Sequence, residues 1–269
     1  MHSDLRGKSV LLTGASSGIG KSVALRFARR GARLFLSSRR KDLLESVAGE
    51  ARVWSPQVGY AVADVTDRAA VEQMVEEAQR VLGGVDIVIA SAGQYVRVHG
   101  TQLSVEDVRR SIEVNFFGTV YLFLAILPRF LESRKGHLIG ISSVDGKKGL
   151  PYDAPYVAAK FAVTGFLDSL RQDLRGTGVK VTTILPGRVD TPMIETLRVP
   201  WVSRKISPEL VAKVVEQALK GRHPEIVVPR LGPKTLLWSA AFSPRLADFL
   251  IKATGIAGRP FGNTDDSTS

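Results

Sequence analysis

Between residues 8 and 229 the sequence alternates short apolar runs with longer segments of helical period, and few architectures accommodate that alternation. The runs are KSVLLTG (8–14), ARLFLSS (32–38), VGYAVADV (58–65), VDIVIASAG (85–93), HLIGISS (137–143), VKVTTILPG (179–187) and PEIVVP (224–229). They are apolar on both faces, as strands covered from both sides must be. Between them, 20–30 places Val23, Ala24, Phe27 and Ala28 at helical spacing, and 41–51, 68–84 and 207–221 read as further helices. The segment 104–136 opens on a Ser104 cap and is too long for one uninterrupted helix. Residues 155–178 begin with proline and end near glycine, as helices do. The pattern predicts an α/β fold, a doubly wound parallel sheet (Rossmann fold) of about seven strands with helices on both faces. No linker interrupts it, so 1–230 reads as one domain, with an extension over 231–258 and a polar, disordered tail over 259–269.

Composition narrows the class. With 269 residues, 44% apolar and 23% charged, the chain has the balance of a soluble globular protein. It has no cysteine, so disulfides and cysteine metal sites are excluded, and no zinc spacing is present; no metal is expected. The start, MHSDLRGKSVLLTG, lacks a signal-peptide pattern, and no run of about 18 apolar residues reads as a membrane span. A cytoplasmic location is expected. The formal charge of +11 is spread in short clusters without interleaved aromatics, so no nucleic-acid partner is expected.

The first strand runs into TGASSGIG and then into a helix. Gly14, Gly18 and Gly20 let the backbone turn tightly and approach a pyrophosphate held at the helix N-terminus; Ser16, Ser17 and Ile19 lie in the same loop. Small residues suit any tight strand-to-helix turn, but the position at the first crossover favours a nucleotide. At the end of the second strand an acid would serve NAD and an arginine the 2′-phosphate of NADP. The chain has Ser38, Arg39 and Arg40 there, and NADP(H) is expected over NAD(H). Later, Tyr156 and Lys160 stand four apart in a predicted helix and so share a face. An ammonium beside a phenol favours the phenolate, although the spacing also suits an amphipathic helix with a surface lysine.

TGASSGIG, SAG at 91–93, Asn115, ISS at 141–143, YVAAK at 156–160 and PGRVDT at 186–191 together resemble the classical short-chain dehydrogenase/reductases, in order and spacing, over about residues 7 to 230. The resemblance implies a catalytic set of Asn115, Ser143, Tyr156 and Lys160, and an NADP(H)-dependent transfer of hydride between nicotinamide and a carbonyl or secondary alcohol. Tyr156 would exchange the proton, Ser143 would polarise the substrate oxygen, Lys160 would bind the ribose and lower the tyrosine pKa, and Asn115 would hold a water of the proton relay. Tyr152, with no lysine four residues on, is not the catalytic tyrosine. It also implies cofactor contacts from Asp64 and Val65, from Ala92 and Gly93, and from Pro186, Gly187, Val189 and Thr191. Ser91 replaces the family's usual asparagine, which should weaken strand support without loss of activity. A catalytically silent NADP(H)-binding regulatory protein is the alternative.

The segment 188–207 corresponds to the family's variable substrate loop. Its Leu197, Val199, Pro200 and Trp201 point to a lipophilic substrate or to an apolar lid. In the extension, Leu236, Leu237, Trp238, Ala240, Ala241 and Phe242 are expected to form one apolar patch, followed by Leu246, Phe249, Leu250 and Ile251 with Lys234, Arg245 and Lys252 on the flanks. Residues 233–254 therefore read as amphipathic helices that lie on a membrane surface, over the cleft or against a second subunit. By resemblance, 104–133 and 155–175 carry the contacts of a homodimer or homotetramer.

Overall fold

The computed structural model describes residues 5–221, 223–229 and 233–260. Seven parallel strands form one sheet: β1 (Ser9–Thr13), β2 (Arg33–Ser38), β3 (Val58–Val62), β4 (Ile87–Ala90), β5 (Gly136–Ile141), β6 (Val179–Pro186) and β8 (Glu225–Val228), in the order β3-β2-β1-β4-β5-β6-β8. A short β7 (Leu197–Arg198) lies outside it.

Alternate strand residues face opposite layers, as the pleat dictates. Val10, Leu12, Leu34, Leu36, Ile87 and Ile89 pack against α1 (Gly18–Ala28), α2 (Lys41–Arg52) and α7 (Pro208–Ala218). Leu11, Phe35 and Val88 face α3 (Arg68–Leu82), α5 (Gly118–Glu132) and α6 (Ala154–Asp173). Helix starts follow the local chemistry. Asp67 caps α3 by accepting from Ala70 N–H, and Ser104 and Asp107 form a reciprocal capping box on α4 (Val105–Ile112).

The predicted interruption of 104–136 is a wide helical turn over Glu113–Phe117, between α4 and α5. The stretch Val105–Glu132 is long and apolar enough by composition to cross a bilayer, contrary to expectation. Its Leu122, Phe123, Ile126 and Phe130 are spent on the core.

The strand order reverses between β1 and β4, which opens a crevice at their C-terminal ends. Tracking beyond the sheet, α8 (Pro233–Phe242) and α9 (Pro244–Thr254) follow β8, and β9 (Arg259–Pro260) pairs antiparallel with β7. Residues 259–260, expected to belong to the tail, are held in this strand. Residues 261–269 lie outside the described residues.

Candidate active site

The glycine loop forms the floor of the crevice. Gly14 and Gly18 take left-handed backbones, φ 70° and 52°, which favour glycine. A Cβ on Gly14 would stand 2.6 Å from Ala92 N, and one on Gly20 2.1 Å from Gly14 O, both backbone atoms. Ser17, before α1, makes no side-chain cap, and the first turn of α1 carries no acid. A pyrophosphate fits such a cradle, with free N–H groups and the positive end of the helix dipole toward it. Gly18 also lies against the side chain of Thr191, and Ile19, Gly93, Pro186, Gly187, Val189 and Thr191 all border one cavity. Some of the predicted cofactor residues, from both halves of the chain, thus meet at this cavity.

At the end of β2, Arg40 donates to Ser16 Oγ (2.9 Å) and Ser17 Oγ (2.5 Å), and Arg39 reaches Asp64 at 3.4 Å. Burial would raise the Asp64 carboxyl, but hydrogen bonds from Thr66 and the Arg39 charge bring it below its usual range. Val65 fills the space over Gly118. Ser38 is buried, its hydroxyl 3.4 Å from the Arg40 carbonyl. Support beneath Ser91 comes from Thr13, whose hydroxyl oxygen accepts weakly from Ser91 and Ala92 N–H at 3.3 and 3.4 Å.

The catalytic candidates converge at the same cavity. Tyr156 and Lys160 lie one turn apart on α6, with the ammonium 5.5 Å from the phenol ring centre. Lys160 is buried and donates to the Ile141 carbonyl at 3.0 Å, which fixes α6 against β5. Ser143, just past β5, borders the same cavity as Tyr156, its hydroxyl oxygen accepting from Asp145 N–H at 3.1 Å. Ser142 turns away and bonds the Lys160 carbonyl and Thr164. Asn115, inside the wide turn, is fully buried; its Oδ1 accepts from Gln94 N–H and its Nδ2 donates to the carbonyls of Gln94 and Ser111. It thereby pins the strand-end segment that carries Gly93. Tyr152 is apart, with its ring under Arg97 at 4.8 Å.

The electrostatics run against one expectation. The Tyr156 phenol is pushed up, first by burial and then by the Asp145 charge. Lys160 is pulled down to about 8 by burial. The chain's own groups therefore hold Tyr156 as a neutral proton donor.

A cluster that sequence reasoning missed surrounds this tyrosine. Tyr95 packs edge-on to Tyr156, ring centres 5.0 Å apart. Its hydroxyl donates to Asp153 Oδ1 at 2.8 Å, and Arg97 pairs with the same oxygen at 2.8 Å. Arg97 also donates to the carbonyls of Ala257 and Gly258, and Arg188 to that of Ala257 (2.8 Å) and to Ser203 Oγ. Asp145, two residues after Ser143, is raised to about 7 by burial and by Asp153. These residues come from five separate segments with no shared periodicity. Only the nearness of Asp145 and Arg188 to the 141–143 and 186–191 motifs hinted at them.

The cavity, about 560 Å³, is lined mainly by apolar groups, among them Val144, Leu150, Leu197, Leu236, Leu250 and Ile256. The extension thus covers the cleft. Its residues do not form the single apolar patch expected: Leu236, Ala247 and Ile251 are buried around Leu150, whereas Trp238, Phe242 and Phe249 are 77%, 92% and 66% exposed. The helical period splits the apolar residues between two faces. The Lys148–Asp248 pair, at 2.7 Å, also holds α9 to the domain.

Among known proteins, residues 8–200 match the family described as short chain dehydrogenase. An uncharacterized oxidoreductase of Staphylococcus aureus (strain MRSA252) is 39% identical over 215 residues, 80% of this chain and 92% of that protein. Another, from Myxococcus xanthus (strain DK1622), is 39% identical over 193 residues, 72% of this chain and 76% of that one. With the fold, the glycine cradle and the Ser143–Tyr156–Lys160 cluster in place, the match over most of its length makes this chain an oxidoreductase of the short-chain dehydrogenase family.

Proposed function

We propose that the protein is an NADP(H)-dependent oxidoreductase that reduces a carbonyl group, or oxidises the corresponding secondary alcohol, on a lipophilic substrate. The observation that carries this is the joint placement of Tyr156, Ser143 and Lys160 in the wall of a largely apolar cavity that Ile19 of the glycine loop also borders. Arg40 supports the choice of NADP(H): its guanidinium is bonded to Ser16 and Ser17 of the glycine loop, where an adenosine 2′-phosphate would lie, while Arg39 reaches Asp64.

When bound, the nicotinamide supplies the hydride and, once oxidised, a positive charge that favours the phenolate. Tyr156 gives its proton to the substrate oxygen in reduction and takes it back in oxidation. Ser143 donates a hydrogen bond to that oxygen as negative charge develops on it. Lys160 anchors the nicotinamide ribose, and Asn115 holds the Gln94 segment and a relay water. Replacing Tyr156 by Phe is expected to lower kcat by about 10²- to 10⁴-fold, the usual worth of general acid–base catalysis. Unchanged NADPH binding with no turnover of any ketone or alcohol by the parent would favour the alternative, a catalytically silent regulatory protein.

The exposed Trp238, Phe242 and Phe249 beside Arg245 and Lys252 suit contact with an anionic lipid surface. The outer residues Val105, Leu124 and Phe161 suit contact with a second copy in a homodimer or homotetramer. NADPH oxidation across 2-ketones of rising chain length, with and without anionic vesicles, tests both the lipophilic substrate and the lipid contact. A flat response to chain length removes the first, and rates and sedimentation unmoved by vesicles remove the second.

A further inference from the structure

The catalytic end of the cavity holds two charged side chains that reduction of a plain ketone does not use, Asp145 and Arg188. Asp145 donates its backbone N–H to Ser143 Oγ at 3.1 Å, and both residues line the cavity. The two residues therefore stand next to each other in the cavity wall, so that neighbouring groups of one ligand can meet both. Arg188 lines the same cavity, its guanidinium oriented by Ser203 Oγ and the Ala257 carbonyl. Behind them Arg97 and Asp153 satisfy each other at 2.8 Å. Asp145 has no such partner: among the described residues its closest ion pairing is through space, with Arg188 and Arg97.

A carboxyl without an ion pair in the wall of an apolar cavity costs stability that a valine or leucine would not. It is explained if a ligand group completes it. Asp145 and Arg188, of opposite formal charge, both line the cavity, so neither a cationic nor an anionic ligand group suits both. A hydroxyl both donates and accepts, and so matches an acid beside a guanidinium.

We propose that Asp145 and Arg188 form a subsite for a hydroxyl on the carbon adjacent to the reacting one, so that the preferred substrates are α-hydroxyketones, or the corresponding vicinal diols, with an apolar chain. This rests on the reading of Tyr156 and Ser143 as the hydride-transfer centre. In reduction the carbonyl carbon gains a hydride, with its electron pair, from NADPH, which becomes NADP⁺. The carbonyl oxygen gains the Tyr156 proton, later replaced from solvent. The adjacent hydroxyl, donating to Asp145 and accepting from Arg188, is unchanged.

The test compares NADPH oxidation with 2-decanone, 3-hydroxy-2-decanone and 3-methoxy-2-decanone; the methoxy compound has a similar inductive effect but no donor. The hydroxyketone is expected to show kcat/KM about 10- to 100-fold above the methoxyketone, the worth of a hydrogen bond to a charged group. In Asp145→Ala this ratio should fall toward one, and in the isosteric Asp145→Asn, which still accepts, part of it should survive. Equal kcat/KM for the two compounds with the parent protein overturns the subsite alone. So does an Asp145→Ala variant that slows both equally and keeps the ratio, because then Asp145 only positions Ser143. No turnover of any of the three overturns the hydride-transfer reading and the subsite with it.

Discussion

The nucleotide wall and the substrate wall of the cleft meet at Tyr156 and are made of different material. The first has as its main part backbone from one stretch, β1 through the start of α2, shaped by Gly14 and Gly20, whose close neighbours are main-chain atoms. The second is side chains from Tyr95 to Ile256, tied together by Arg97 and Arg188 across more than 60 residues of sequence. A wall of backbone presents the same surface wherever its short motif occurs. A wall of side chains can be refitted for each substrate, provided that something rigid holds it, and here buried charges do so.

The sharpest test of the substrate wall is Arg97→Ala. It strands the buried Asp153, whose second carboxyl oxygen already lacks a partner among the described residues, and it takes the Arg97 donor from the Gly258 carbonyl and one of two donors from that of Ala257. A loss of about 3 kcal/mol or more is expected. The sign with pH is fixed. Burial raises the Asp153 pKa above its unfolded value, so its protonated form is compatible with folding below about pH 4, and stability is lost as pH rises through the folded value. Without Arg97 that loss deepens, so the variant should fall furthest behind the parent in alkaline melts. A gap that narrows as pH rises would break the comparison.

On the nucleotide wall, Gly20→Ala forces a methyl group to 2.1 Å from Gly14 O, where neither chain segment can yield cheaply. A cost of about 1–3 kcal/mol is expected, with weakened NADPH binding by fluorescence titration. A variant with parental Tm and affinity would show that this wall is not set by backbone packing. Smaller still is the effect of Arg40→Ala. NADPH affinity should drop about 10- to 100-fold, and NADH affinity should hardly move. Equal losses for both nucleotides would place the phosphate subsite elsewhere and sharpen the boundary between the walls.

The legibility of the site follows the same division. Asp67, Ser104 and Pro155 mark their helix starts through contacts no more than a turn away, so they read directly from sequence. Gly14, Gly18 and Gly20 read equally well, because a positive φ or a backbone approach leaves no other residue type as suitable. Asn115 was legible only through the family pattern, since its partners Gln94 and Ser111 are fixed by the wide turn at Glu113–Phe117. Tyr95, Arg97 and Asp153 carry no common spacing and were not legible, and Asp145 and Arg188 were hinted at only by the motifs they stand in or beside.

The order of strands and helices, the tight glycine turn and the shared face of Tyr156 and Lys160 were dictated locally, by pleat, helical period and the sterics of a missing Cβ. Tertiary structure alone chose what covers the cleft, split Trp238 from Leu236 between outside and inside, and turned the phenol of Tyr156 into a weaker acid. Those outcomes depend on burial and on charges brought together from distant parts of the chain, and neither exists until the chain has folded.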